Sequence, residues 1–152
     1  MAETMPPMHV FPCRVYYEDT DAAGVVYYAN YLKYAERARS ELLREMGTDN
    51  SSLLRQHGVV FAVKDCAVSY HEPARLDDAL QIHTRILKID GASFSAEQRV
   101  ERSGRLLVGM TVRVACLDAE GRPARLPGAL RSAFASRQES LSAGRMNGTE
   151  HR

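Results

Sequence analysis

The fold turns on one stretch, YYEDTDAAGVVYYANYLKYAERARSE, residues 16–41. It opens in β-forming tyrosines, crosses an acidic loop and enters an amphipathic run. Tyr27, Tyr31, Tyr34, Ala35, Ala38, Leu42 and Met46 recur at steps of three and four, which marks one face of a helix. Lys33, Glu36, Arg37, Arg39, Glu41 and Arg44 fill the space between them. Gly47 is a natural helix stop. The spacing predicts a helix over about 28–46, the one long amphipathic helix of the chain.

On either side the pattern changes from period 3.6 to period two. HVFPCRVYY, residues 9–17, reads as a strand. Residues 59–71, 80–89, 93–102 and 105–118 read as four more. Pro73, Asp77-Asp78, Asp90-Gly91 and Ser103-Gly104 separate them as turns. AVSYH, LQIHTRI and MTVRVACL alternate apolar with polar residues, as half-buried antiparallel strands do. The links are too short for helical crossovers, so the sheet is antiparallel. One long helix and five strands pack as an α+β unit, with a curved sheet wrapped around a central helix. Such a sheet keeps a face or edge for a second copy, so a homo-oligomer is expected.

The 152 residues are 45% apolar, enough for one domain. We expect a flexible N-terminus over 1–8, the domain over 9–138, and a disordered polar tail over 139–152. GALRSAFASR, residues 128–137, predicts one short helix. Twenty basic residues against nineteen acidic ones give a net charge of +1, which argues against a nucleic-acid binder. There is no apolar run long enough for a transmembrane helix. The start, MAETMPPMHVF, has neither the basic region nor the apolar stretch of a secretory signal, so the cytoplasm is the default. Cys13, Cys66 and Cys116 are odd in number and far apart, which fits buried reduced thiols better than disulfides or zinc. No histidine pair has metal-ligand spacing. Neither a metal nor a separate cofactor is expected.

The loop carries the chemistry. Glu18, Asp19 and Asp21 precede a helix start, and Gly24 permits unusual backbone angles. A helix N-terminus offers free N–H groups and partial positive charge. That suits a thioester carbonyl, whose oxygen becomes negative when attacked. A carboxylate beside it can activate water or attack directly. From physics alone, however, capping or turn formation is the commoner role of a lone carboxylate there.

The same residues resemble a family. Tyr17, Asp19, Asp21, Gly24, Val26, Tyr27, Asn30, Tyr31, Glu36, Arg37 and Ala38, with FAVKDCAVSYHEPARLDD at 61–78, are similar to the 4-hydroxybenzoyl-CoA thioesterase group of hotdog proteins. They look still more like its branch of acyl-CoA thioesterases associated with the Tol–Pal envelope system. The resemblance covers roughly residues 10–138. It implies a hotdog fold, a homodimer or homotetramer, and active sites at the dimer interface. It implies Asp21 as catalytic carboxylate, the backbone N–H of Tyr28 as carbonyl polariser, and Tyr17, Gly24, Val26, Tyr27 and Asn30 as substrate-binding residues. Tyr28 stands where many close relatives carry histidine, whereas the hydroxybenzoyl branch has tyrosine. The expected substrates are short-chain or aromatic acyl groups on coenzyme A or acyl carrier protein. Lys64, Arg75, Arg85, Lys88 and Arg125 are candidate phosphate partners by residue type alone.

Two other functions compete. The fold can serve as a non-catalytic acyl-CoA binder or scaffold of the envelope or lipid machinery. A dehydratase of the same fold typically uses a histidine with a carboxylate, and this chain has no histidine in its loop or helix start, which ranks that function low.

Overall fold

The computed structural model describes residues 8–149, with side chains through residue 138. Five strands form one antiparallel sheet: β1 (His9–Arg14), β2 (Val60–Tyr70), β3 (Ala79–Ile89), β4 (Ser93–Arg102) and β5 (Arg105–Leu117). Their spatial order is β1-β3-β4-β5-β2, so β1 and β2 are the two edges. The main helix, α1 (Asn30–Glu45), lies over β1 and β3. It buries Tyr31, Tyr34, Ala35, Ala38, Leu42 and Leu43, the face that the periodicity marked out. The wrapped α+β arrangement is therefore present.

α1 is held in register by a polar bolt as well as by apolar burial. Gln98 on β4 is fully buried. Its Nε2 donates to the Ala35 carbonyl at 2.9 Å and to Thr84 Oγ1 at 3.0 Å, and its Oε1 accepts from Arg39 Nη1 at 3.0 Å. A buried amide is tolerated only when satisfied in this way.

Several sequence expectations change. The first strand ends at Arg14, because a 3-10 turn over Tyr17–Asp19 bends the chain and leaves Tyr16 and Tyr17 in solvent. The long helix starts at Asn30, not 28, since residues 28 and 29 form a turn that feeds it. A second helix, α2 (Asn50–His57), follows it, started by Asp49, whose side chain accepts from the Ser52 N–H, and stopped by left-handed Gly58 at φ 66°. Cys66 is exposed, whereas Cys116 is buried as expected.

The C-terminal helix, α3 (Gly128–Thr149), is longer than the short helix read from the sequence and continues into the polar stretch expected to be disordered. Glu139, Leu141, Ala143, Arg145 and Met146 are its helix formers, set among serines and glycines. Residues 1–7, within the stretch expected to be a flexible N-terminus, and 150–152 lie outside the described residues. α3 packs along β3 beyond the point where β1 ends, and Gln138 donates to the Leu87 carbonyl on that edge. Among the described residues no helix runs along the free edge of β2 in this way, α2 touching it only in part. Nearly all its residues are exposed among those described.

Candidate active site

The loop before α1 is a set of nested turns. The Asp21 carbonyl accepts from the Gly24 N–H at 3.0 Å, and the Asp21 N–H donates to the Val25 carbonyl at 2.9 Å. Gly24 takes φ 80°, a left-handed angle that a side chain would strain. The loop is stitched down by bridges from Thr20 to Val26 and from Val25 to Arg75, and by the Val26 N–H donating to the Ala74 carbonyl at 2.9 Å. The Ala74 N–H in turn donates to the Tyr31 hydroxyl at 3.0 Å, tying the same segment to α1.

The two aspartates part company here. Asp19 is buried, and its Oδ2 accepts from the Tyr16 N–H at 2.8 Å. Its carbonyl accepts from the Tyr27 N–H at 3.0 Å and from Asn30 Nδ2 at 2.9 Å. Burial, and then the neighbouring Asp19 carboxylate, push the Tyr34 hydroxyl far above its usual range, so it stays protonated. Asp21 is exposed. Its Oδ1 accepts from the Ala23 N–H at 2.9 Å and from the Val25 N–H at 3.4 Å, which leaves Oδ2 open to solvent.

At the helix start the Tyr28 N–H has no acceptor among the described residues. The Tyr28 carbonyl accepts from the Tyr70 hydroxyl at 3.2 Å. The Tyr28 ring packs against Tyr27 at a 45° tilt with centroids 4.8 Å apart, and meets Tyr70 edge-on at 6.3 Å. An open depression of about 250 Å³ lies here, walled by Val26, Tyr28, Tyr31, Tyr70, His71, Glu72 and Pro73. Asp21 belongs to the adjoining loop rather than to that wall.

The structure thus brings Asp21, Gly24, Val26, Tyr27, Tyr28 and Asn30 into one loop-to-helix junction. Val26 lines the depression, and the Asn30 amide is engaged with the Asp19 carbonyl. Tyr17 points away into solvent at 83% exposure. Tyr70, His71 and Glu72 were missed as neighbours of the helix start. They come from the end of β2 and the residues just after it, Tyr70 lying 42 residues beyond Tyr28, which leaves no local signal. Of the basic candidates, Arg85 is paired with Glu97 at 2.5 Å and Lys88 with Asp90 at 3.7 Å. Arg75 sits on the segment bridged to Val25, beside the loop.

A sheet wrapped on one helix, with an acidic loop at the helix start, defines a hotdog protein. Residues 15–134 match the family model described as the thioesterase-like superfamily, and the chain belongs to that family. It is 44% identical over 125 residues to the acyl-CoA thioesterase YbgC of Haemophilus influenzae, covering 82% of this chain and 92% of that one. Among solved structures, a probable thioesterase from Bartonella henselae is 41% identical with a TM-score of 0.76, covering 79% of this chain and 99% of the other. A gentisyl-coenzyme A thioesterase is 28% identical with a TM-score of 0.76, covering 82% and 98%.

Proposed function

We propose that this acyl-CoA thioesterase works through Asp21 and the start of α1. The thioester carbonyl oxygen sits on the Tyr28 N–H, and Asp21 takes a proton from the attacking water or attacks the carbonyl itself. In the first case oxygen bonds to the carbonyl carbon, the C–S bond breaks, and the proton passes to the departing thiolate. The observation that carries this reading is the pair of open groups at one junction: a free helix-start N–H and a carboxylate with one oxygen uncommitted. An oriented donor of this kind contributes on the order of 3 kcal/mol to the transition state.

Short-chain or aromatic acyl groups on coenzyme A or acyl carrier protein are the proposed substrates, with the gentisyl-coenzyme A relative pointing to aromatic ones. The loop residues Gly24, Val26 and Tyr27 flank the thioester. Tyr17 and Asn30 act there only from a second copy or through the backbone, because one faces solvent and the other is already bonded. Arg75 is the nearest basic candidate for the coenzyme phosphates. The uncovered β2 supports a homodimer or homotetramer. A cytoplasmic location and a link to the Tol–Pal system rest on the sequence resemblance, and co-purification with envelope proteins tests them.

One observation favours acyl-CoA binding without hydrolysis: the Asp21 carboxylate already accepts the bonds of a turn former. Thiol release from a panel of acyl-CoAs, with Asp21→Asn alongside, separates the two. Hydrolysis by the wild type but not the variant supports the enzyme. Tight binding with no release from any member supports the binder.

A further inference from the structure

The Tyr28 N–H polarises a carbonyl effectively only when its direction is fixed beforehand. The backbone groups on either side of it decide that direction. On one side, the Tyr27 N–H donates to the Asp19 carbonyl at 3.0 Å, and the Tyr27 carbonyl accepts from the Asn30 N–H at 2.8 Å. Both bonds stay within the loop and the first turn of α1. On the other side is the Tyr28 carbonyl, which stands outside the helix ladder: the Leu32 N–H donates to the Ala29 carbonyl at 3.1 Å instead. Among the described residues no backbone N–H donates to the Tyr28 carbonyl. The Tyr70 hydroxyl does, at 3.2 Å, from 42 residues along the chain.

Tyr70 is itself anchored to the sheet. Its backbone pairs with buried Val108 on β5, and the next two N–H groups, of His71 and Glu72, both donate to the Leu107 carbonyl, at 2.8 and 3.1 Å. Its ring meets Tyr28 edge-on and lies 5.8 Å from the ring of Tyr31, which is buried and accepts from the Ala74 N–H through its hydroxyl. One hydroxyl therefore ties the turn before α1 to a rigid part of the fold, as a group that orients a reacting donor requires. Tyr70 is 48% exposed, so water reaches the Tyr28 carbonyl once the hydroxyl is removed. Water satisfies that carbonyl without fixing its direction. The bond thus adds orientation rather than stability.

We propose that Tyr70 is a positioning residue of the thioesterase: by holding the Tyr28 carbonyl, its hydroxyl aims the Tyr28 N–H at the thioester oxygen. This rests on the reading above, in which that N–H receives the substrate carbonyl. Tyr70 also walls the depression at the helix start, and the two roles leave different signatures. A wall residue alters binding of some acyl groups and not others, whereas the carbonyl is common to every thioester.

The test is Tyr70→Phe, which removes the hydroxyl and keeps the ring. The probe is a ketone analogue of butyryl-coenzyme A in which a methylene replaces the thioester sulfur, isotope-labelled at the carbonyl carbon. It keeps the carbonyl and does not react, so it reads the donor whether or not Asp21 hydrolyses a thioester. Difference infrared spectra of the wild-type complex are expected to show one narrow carbonyl band, below the frequency of the free analogue in water. In Tyr70→Phe the band broadens and returns toward the free value. With butyryl- and benzoyl-coenzyme A, kcat is expected to fall at least about tenfold and by a similar factor for both, while KM stays within about twofold. The thermal midpoint and the pH profile do not move. A lowered band that is the same in both proteins, or an unchanged kcat, overturns the proposal and leaves the Tyr28 reading standing. No lowering in the wild type takes the carbonyl off the Tyr28 N–H and overturns both. A loss confined to KM or to one acyl group makes Tyr70 a wall only, and a variant that melts far below wild type or fails to fold makes it a structural tie; either result overturns the proposal.

Discussion

Asp19 and Asp21 stand two residues apart, and the fold gives them opposite surroundings. Asp19 is buried with its carboxylate on the Tyr16 N–H and its carbonyl on Tyr27 and Asn30. Asp19→Ala leaves that N–H unsatisfied, and should lower the unfolding free energy by about 1.5–3 kcal/mol in a urea melt. Asp21 is exposed and bonded only to its own loop. Asparagine keeps an oxygen acceptor at the same place, so Asp21→Asn preserves the turn and removes only the charge and basicity. Its stability should stay within about 0.5 kcal/mol of wild type while kcat falls by about 10² to 10⁴. Equal activity in the variant would reduce Asp21 to a turn former. The sequence marked the acidic pair and the helix start, but not which carboxylate is buried. That difference is set by the 3-10 turn at Tyr17–Asp19, and a three-residue turn leaves no periodic trace.

At the scale of elements, legibility followed the strength of the pattern. α1 was readable because its charges and apolar residues alternate at helical spacing over several turns. α2 was not, because NSSLLRQH offers only a pair of leucines; its signals were the punctuation, Asp49 before it and Gly58 after. Gln98 is a polar residue that strand alternation aims inward, between Ala96 and Val100. It faces in because α1 supplies a carbonyl and Arg39 to meet it. Gln98→Met strands those partners and should cost about 1–3 kcal/mol by urea denaturation, with the helix content retained. A second joint ties three elements: His9 on β1, Glu45 at the end of α1, and Arg137 on α3. His9 Nε2 lies 3.6 Å from Glu45, and Arg137 pairs with the same carboxylate. Burial lowers the His9 pKa below 6.5, opposed by Glu45, reinforced by Arg137 and opposed again by Glu41. The folded state therefore binds its proton more weakly than the unfolded chain. The contribution of His9 is intact above pH 6.5 and is lost as the pH falls below it. Thermal melts of His9→Gln against wild type should show a shallower loss of stability on acidification in the variant; parallel curves would exclude His9 as a source.

At the scale of the molecule the element that stands out is β2. It pairs with β5 on one side, presents eleven residues with an unpaired edge on the other, and is exposed on nearly every side chain. Val60, Val63 and Tyr70 remain 43–48% in water. A long apolar edge left open is an aggregation hazard that natural sheets cover or charge. Here the sequence supplies little charge, with Lys64 and Asp65 side by side at the bulge and Ala67 in open water beyond them. A second copy related by a two-fold axis would pair β2 with β2 and close the edge for both chains. Because each residue near that axis faces its own counterpart, one substitution introduces two like charges together. Ala67→Asp is exposed in the single chain and should leave its stability within about 0.5 kcal/mol. In the pair it sets carboxylates against each other in a partly desolvated edge, so sedimentation equilibrium should show the dimer dissociating at concentrations where the wild type stays associated. Thiol release measured on the same sample tells whether one chain suffices for catalysis. A variant that remains dimeric would move the interface off β2, and the exposed valines would then need a different cover.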